Sequence, residues 1–158
     1  IGLKKNIDKD ILVSYSDIHF SKNILRKIKK KVFKKEILLP VQLNWKKIWK
    51  KRKKKITRDC ESLRYNNKNY LINIGQKIND PKEVMGQYMG ILYLPKKLIK
   101  KILKELKKVL IYKKLHVTDF LNIILRKHKI LCIPLKDQWY EFDDFQDLKN
   151  FKYDIRSN

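Results

Sequence analysis

At 158 residues the chain has room for one domain, and a hydrophobic content of 43% supplies a real core. Its formal net charge of +24 invites a nucleic-acid partner, yet 34 of the 40 basic residues are Lys and six are Arg. Proteins that grip phosphates or read bases favour the planar Arg fork. With 21 Ile, 11 Asn and no Ala, the composition is that of an A/T-rich coding sequence. The lysines therefore read as a solvated surface that binds polyanions weakly and without sequence preference. Cys60 and Cys132 are far apart and form no CxxC, and His19, His116 and His128 lack metal-ligand spacing. These features exclude a disulfide framework and a structural zinc, and point to a reducing, cytoplasmic compartment. No apolar run approaches a membrane span, and no signal peptide is visible.

Along the chain, the β-rich run at 10–15 predicts a first strand. Ser21 to Phe33 predicts a helix with Ile24, Leu25, Ile28 and Val32 on one stripe and lysines opposite. A strand follows at 37–41. The Lys-rich stretch 46–55 carries Trp45 just before it, with Ile48 and Trp49 within, and reads as an amphipathic helix with a basic face. Strands are predicted at 70–74 and 87–94. Residues 95–114 form the clearest helix, with apolar positions recurring at three and four and Pro95 near its start. Another helix spans 118–127 with Thr118 as its cap, then a strand at 130–135. A short strand, Trp139 to Asp143, would place Trp139, Glu141 and Asp143 on one face and Tyr140 and Phe142 on the other. A terminal helix is predicted at 144–152. Strands alternating with helices give a single α/β domain over 1–158, with helices on both faces of the sheet.

Two carboxylates sit where strands end, Asp17 after the first and Asp143 after the last. In open α/β sheets ligands gather at the carboxyl ends of strands. Two such carboxylates can converge on one Mg²⁺, which keeps most of its ligand positions for water and substrate phosphates. Asp17 could equally cap a turn, and Asp144 and Asp147 are read as helix-start residues.

Taken in order, these segments resemble a family: Tyr15-Ser-Asp17, Asn44-Trp45 with Trp49 and Arg52, Asp59-Cys-Glu61, Ile74-Gly75, Gly86-Gln-Tyr-Met-Gly90, then Trp139-Tyr-Glu-Phe-Asp143 with Asp147. The family is that of nucleotidyltransferases that activate phosphorylated small molecules, the phosphocholine cytidylyltransferase-like and sugar-phosphate branch. The resemblance implies a Rossmann-like mixed sheet, Mg²⁺ bound by Asp17 and Asp143, and transfer of a nucleotidyl group from an NTP, with CTP the first choice, releasing pyrophosphate. The acceptor would be phosphocholine, a phosphonate or a sugar phosphate, bound by Tyr15, Trp45, Glu61, Gln87, Tyr88, Trp139 and Glu141. Trp45 and Trp49 also suit plain core packing. Gly86 and Gly90 suit either close backbone approach or tight turns. If the acceptor carries a quaternary ammonium, aromatic faces and Glu61 are its natural partners.

The chain departs from the family twice. Nothing in it matches the Gly-rich, basic loop and later Pro-Lys that wrap the triphosphate, so it reads as the C-terminal two-thirds of the domain, truncated at its N-terminus. Gln42 stands where many relatives place an acid. The competing readings are a basic nucleic-acid-binding module, favoured by charge and by no motif, and a non-catalytic remnant of the enzyme. Oligomeric state is not legible in the sequence.

Overall fold

The protein is described here as a computed structural model covering residues 8–52, 60–110 and 115–156, with backbone alone at 51–52, 108–110 and 153–156. In chain order the elements are β1 (Ile11–Ser14), β2 (Ile18–Phe20), α1 (Lys22–Lys29), β3 (Ile37–Gln42), α2 (Trp45–Arg52), β4 (Glu61–Tyr65) and β5 (Leu71–Lys77). They continue with β6 (Gln87–Tyr88), β7 (Ile91–Leu94), α3 (Lys96–Leu110), α4 (Val117–Leu125), β8 (Ile130–Leu135), β9 (Trp139–Glu141) and α5 (Phe145–Arg156).

A five-stranded sheet runs β1–β7–β3, with β6 beside the far end of β3 and β8 on its other edge. The sheet is mixed. β8 lies parallel to β3, whereas β1 pairs antiparallel with β7, and both β6 and β7 pair antiparallel with β3. All six residues of β3 are buried, as a central strand covered on both faces requires. Two-residue alternation divides its side chains between two cores. Leu38, Ile91, Tyr93, Leu131 and Ile133 pack with Ile24 and Ile28 of α1 and Trp45 and Trp49 of α2. Ile37, Leu39, Leu92, Leu94 and Cys132 pack with Ile99 and Ile102 of α3 and Leu121 and Ile124 of α4. Helices thus cover both faces, as the α/β reading expects.

The same division places the charge. Lys22, Lys27, Lys29 and Lys30 at α1 are exposed, as are Lys96, Lys97, Lys100, Lys101, Lys104 and Lys107 along α3. Because α1 and α3 cover opposite faces of the sheet, these lysines are divided between the two faces.

Four sequence expectations need correction. The run 87–94 is two strands, because Gly90 turns to φ +70 between them and Tyr15 packs against it, two of its ring carbons 2.8 and 2.9 Å from where a Cβ would stand. The helix predicted from Ser21 to Phe33 stops at Lys29, and a short 3-10 turn, Val32–Lys34, closes with Lys35 in the left-handed region. Thr118 is not the cap of α4: His116 occupies that position, and the Asp119 carboxylate accepts its backbone N–H at 3.1 Å. Two strands, β2 and β4, were not expected. β4 joins β5 through Asn66-Asn-Lys-Asn69, with Asn69 at φ 63 and Asn66 Oδ1 accepting the N–H groups of Lys68 and Tyr70 at 3.0 Å each. Residues 53–55 and 111–114 of two expected helices, and Asp59, lie outside the described residues.

Candidate active site

The bend between β1 and β2 carries Tyr15, Ser16 and Asp17. Its backbone is fixed from two sides. Tyr15 N–H donates to Gly90 O, and Phe142 N–H donates to Asp17 O, each at 2.9 Å. Antiparallel pairing of β2 with β9 sets Ile18 opposite Glu141 and Phe20 opposite Trp139. Asp17 and Asp143 therefore stand one step apart at the end of this ribbon, both exposed. Beyond β9, Asp144 Oδ1 accepts Asp147 N–H at 2.9 Å and Asp147 Oδ2 accepts Asp143 N–H at 3.1 Å, a reciprocal start to α5. Asp144 and Asp147 are helix-start residues, as the sequence suggests. The alternation along β9 also holds: Trp139 enters the core, while Tyr140 and Phe142 meet Phe151 edge-on with ring centroids 4.8 and 5.2 Å apart.

Next to this ribbon opens a cavity of about 720 Å³. Tyr15, Glu61, Gln87, Tyr88 and Glu141 line it, together with Trp49. Trp45 and Trp139 do not. Both are 2% exposed in the core, where the Trp139 indole N–H donates to Met89 O at 2.9 Å and its ring lies nearly parallel to Trp49, centroids 6.5 Å apart. A two-ring packing against Trp49 links them instead to the cavity wall. Gln42 is likewise structural. It is 1% exposed, its Nε2 donates to Asp137 O at 2.8 Å and its Oε1 accepts Asn44 N–H at 2.9 Å. An acid here could not make the first of these bonds when ionised.

Cys60, Ile74 and Gly75 of the motif segments also line it, whereas Ser62, Leu63 and Lys77 from the β4–β5 hairpin, and His116, Thr118 and Asp119 from the start of α4, were not anticipated. The asparagine-rich turn between two β-leaning runs was the available signal for that hairpin.

Charge inside the cavity has the opposite sign to the chain as a whole. Two of the five glutamates, Glu61 and Glu141, meet there with Asp119. Burial pushes the Glu61 carboxyl above its usual range, opposed by a hydrogen bond from Thr118. Burial, with Glu141, Glu61 and Asp17 nearby, pushes the Tyr15 phenol up to about 12. Tyr88 is raised by burial and by Tyr15, which meets it edge-on at 5.7 Å. Its buried hydroxyl has no hydrogen-bond partner among the described residues. Both tyrosines are therefore neutral donors at neutral pH.

Asp17 and Asp143 are neighbouring exposed carboxylates on the ribbon beside the cavity, and oxygen donors of this kind suit a hard divalent cation. Among the described residues no group of three or more His, Cys, Asp or Glu could hold a metal by itself. Mg²⁺ requires less, since waters and substrate phosphates complete its shell. Among the same residues no helix is long and apolar enough to cross a membrane.

The fold is that of nucleotidyltransferases. The chain superposes on a glucose-1-phosphate thymidylyltransferase structure from Bacillus anthracis with a TM-score of 0.67 and 17% identity, over 96% of this chain and 56% of that one. The inositol-1-phosphate CTP transferase of T. maritima gives 0.67 and 14% identity, covering 97% and 57%. A UTP-bound UGPase from Acinetobacter baumannii gives 0.62 and 11%, covering 94% and 52%. In sequence the chain is 25% identical over 150 residues to the CTP:phosphoglutamine cytidylyltransferase of Campylobacter jejuni subsp. jejuni serotype O:2, spanning 89% of this chain and 58% of that protein. No family model matches the chain. The resemblance read from the ordered motifs stands on these relatives, and the chain spans little more than half the length of each.

Proposed function

We propose that the chain forms the metal- and acceptor-binding part of a Mg²⁺-dependent cytidylyltransferase. What supports the reading is the neighbouring backbone positions of Asp17 and Asp143 at the end of the β2–β9 ribbon, beside a cavity lined by Tyr15, Glu61, Gln87, Tyr88 and Glu141. CTP as donor follows the sequence relative, which is itself a CTP-using enzyme.

In the proposed reaction a phosphate oxygen of the acceptor attacks the α-phosphorus of CTP in line. A P–O bond to CMP forms as the bond to the departing pyrophosphate breaks. Such chemistry asks for alignment and charge neutralisation rather than a covalent intermediate on the protein. Bound Mg²⁺ would neutralise the phosphate oxygens of both reactants. Asp17 and Asp143 would hold it, and the cavity would hold the body of the acceptor. The Tyr88 hydroxyl, which has no hydrogen-bond partner among the described residues, would be a donor for that molecule. Glu61, Glu141 and Asp119, set among Trp49, Tyr15 and Tyr88, favour an acceptor with a cationic group over a neutral sugar.

The protein expressed from its full reading frame should release pyrophosphate from CTP only when Mg²⁺ and a phosphorylated acceptor are both present. Phosphocholine should be used in preference to glucose 1-phosphate. Release that needs no acceptor, or none with any of a panel of phosphomonoesters, would contradict the proposal.

A further inference from the structure

Thr118 occupies the second position of α4, and with His116 holding the cap its hydroxyl is released from helix-start duty. It meets the β4–β5 hairpin at an unusual point. Gly75 sits inside β5 at φ +80, beside a register irregularity in the β4–β5 ladder between Glu61 and Leu63. A Cβ built on Gly75 would stand 2.5 Å from Thr118 Cβ and 2.9 Å from its Oγ1, distances that real atoms do not adopt. Only glycine, at a backbone angle that L side chains rarely take, lets the helix approach so closely. Asn122, one turn further along α4, donates its Nδ2 to Ile74 O at 2.6 Å and locks the helix to the same strand. The result brings Thr118 to the wall of the 720 Å³ cavity, against Glu61.

The geometry points to Thr118 as a positioning residue: from the first turn of α4 it orients the Glu61 carboxylate into the acceptor cavity, and so sets preference for a cationic acceptor. This deepens the proposed function and rests on it for the identity of the ligand. Glu61 itself is set by the pairing of β4 with β5, opposite Lys77, and the packing of α4 on β5 brings Thr118 to it. The charged and titratable groups facing Glu61 come from several elements: Lys77 opposite it on β5, His116 and Asp119 at the start of α4, Glu141 on β9, and Tyr15 after β1. Burial raises Glu61 and the Thr118 hydroxyl opposes that rise, so removing the hydroxyl moves the carboxyl further upward.

Two substitutions separate the hydroxyl from the shape. Thr118→Val keeps the branched side chain that fills the space beside Gly75, while Thr118→Ser keeps the hydroxyl. Carboxyl NMR titration of Glu61 in the 158-residue chain, with binding of tetramethylammonium followed on the same samples, reads the effect without catalysis. Thr118→Val should raise the Glu61 titration midpoint and weaken tetramethylammonium binding at neutral pH about fivefold or more, one lost charge-assisted hydrogen bond. Thr118→Ser should leave both near wild type. A folded Thr118→Val chain with an unshifted Glu61 overturns the positioning role. So does a Ser variant that behaves like Val. If Glu61 shifts as expected while no tetramethylammonium binds to the wild type, the positioning role stands and the cationic-acceptor preference falls. If both effects appear and the complete protein transfers no nucleotidyl group, it is the proposed reaction that fails.

Discussion

Asn at position 17 in the complete protein should slow nucleotidyl transfer about a hundredfold or more, a loss of roughly 3 kcal/mol in transition-state stabilisation, with little change in folding stability. The separation of the two effects follows from how Asp17 is built in. Its backbone carbonyl, not its carboxylate, accepts the Phe142 N–H that closes the β2–β9 ribbon, and its side chain is exposed. Asn preserves size and hydrogen-bonding capacity and removes only the charge. A residue serving as a turn cap would tolerate the change well. Asp144→Asn is the matched control, since Asp144 Oδ1 accepts Asp147 N–H at the start of α5 and Asn caps helices about as well as Asp. Steady-state rates and denaturation midpoints on both variants decide between metal ligand and cap. Near-full turnover in Asp17→Asn would leave Asp17 a turn residue.

The largest loss of stability is expected at Trp139. It is 2% exposed, packs with Trp49, Met89 and Ile91 in the core under α1 and α2, and gives its indole N–H to Met89 O. Trp139→Ala would leave a large cavity and an unpaired buried carbonyl, and should cost about 3–5 kcal/mol. Losses of this size are a large share of the stability of a domain this small. Trp139→Phe, which keeps a ring in the site, should lose clearly less. Urea denaturation of the two variants measures this. A cost below about 1 kcal/mol for Trp139→Ala would mean that the indole's contribution lies in ligand binding and not in packing.

Trp139 also illustrates what was legible in the sequence. Its alternation with Tyr140 was readable because a strand has a period of two, but which face met the core and which met a ligand depended on partners distant in sequence. The five β-rich runs and the long Lys-faced helix were visible for the same reason: each pattern is local and repeats several times. β4 was hidden, since Glu61-Ser-Leu-Arg-Tyr65 mixes charge with apolar residues and gains its burial from partners distant in sequence, β5 first among them. With β4 unseen, the cavity wall from Glu61 to Lys77 had no frame, and Thr118 was read as a cap because Thr before an apolar run usually is one. The proximity of Asp17 and Asp143 was inferred from strand ends in general. The actual cause is more specific, the pairing of a three-residue β2 with β9, and β2 is too short to leave a periodic signal.

The shared metal position is the claim on which the account turns, and Mn²⁺ reads it directly. As a paramagnetic substitute for Mg²⁺, titrated into the ¹⁵N-labelled chain, it broadens amide signals according to their distance from the ion. Broadening should centre on residues 16–18 and 141–144 and should weaken sharply in both Asp17→Asn and Asp143→Asn. Broadening centred elsewhere, or unchanged in the two variants, would contradict a metal site built from these carboxylates.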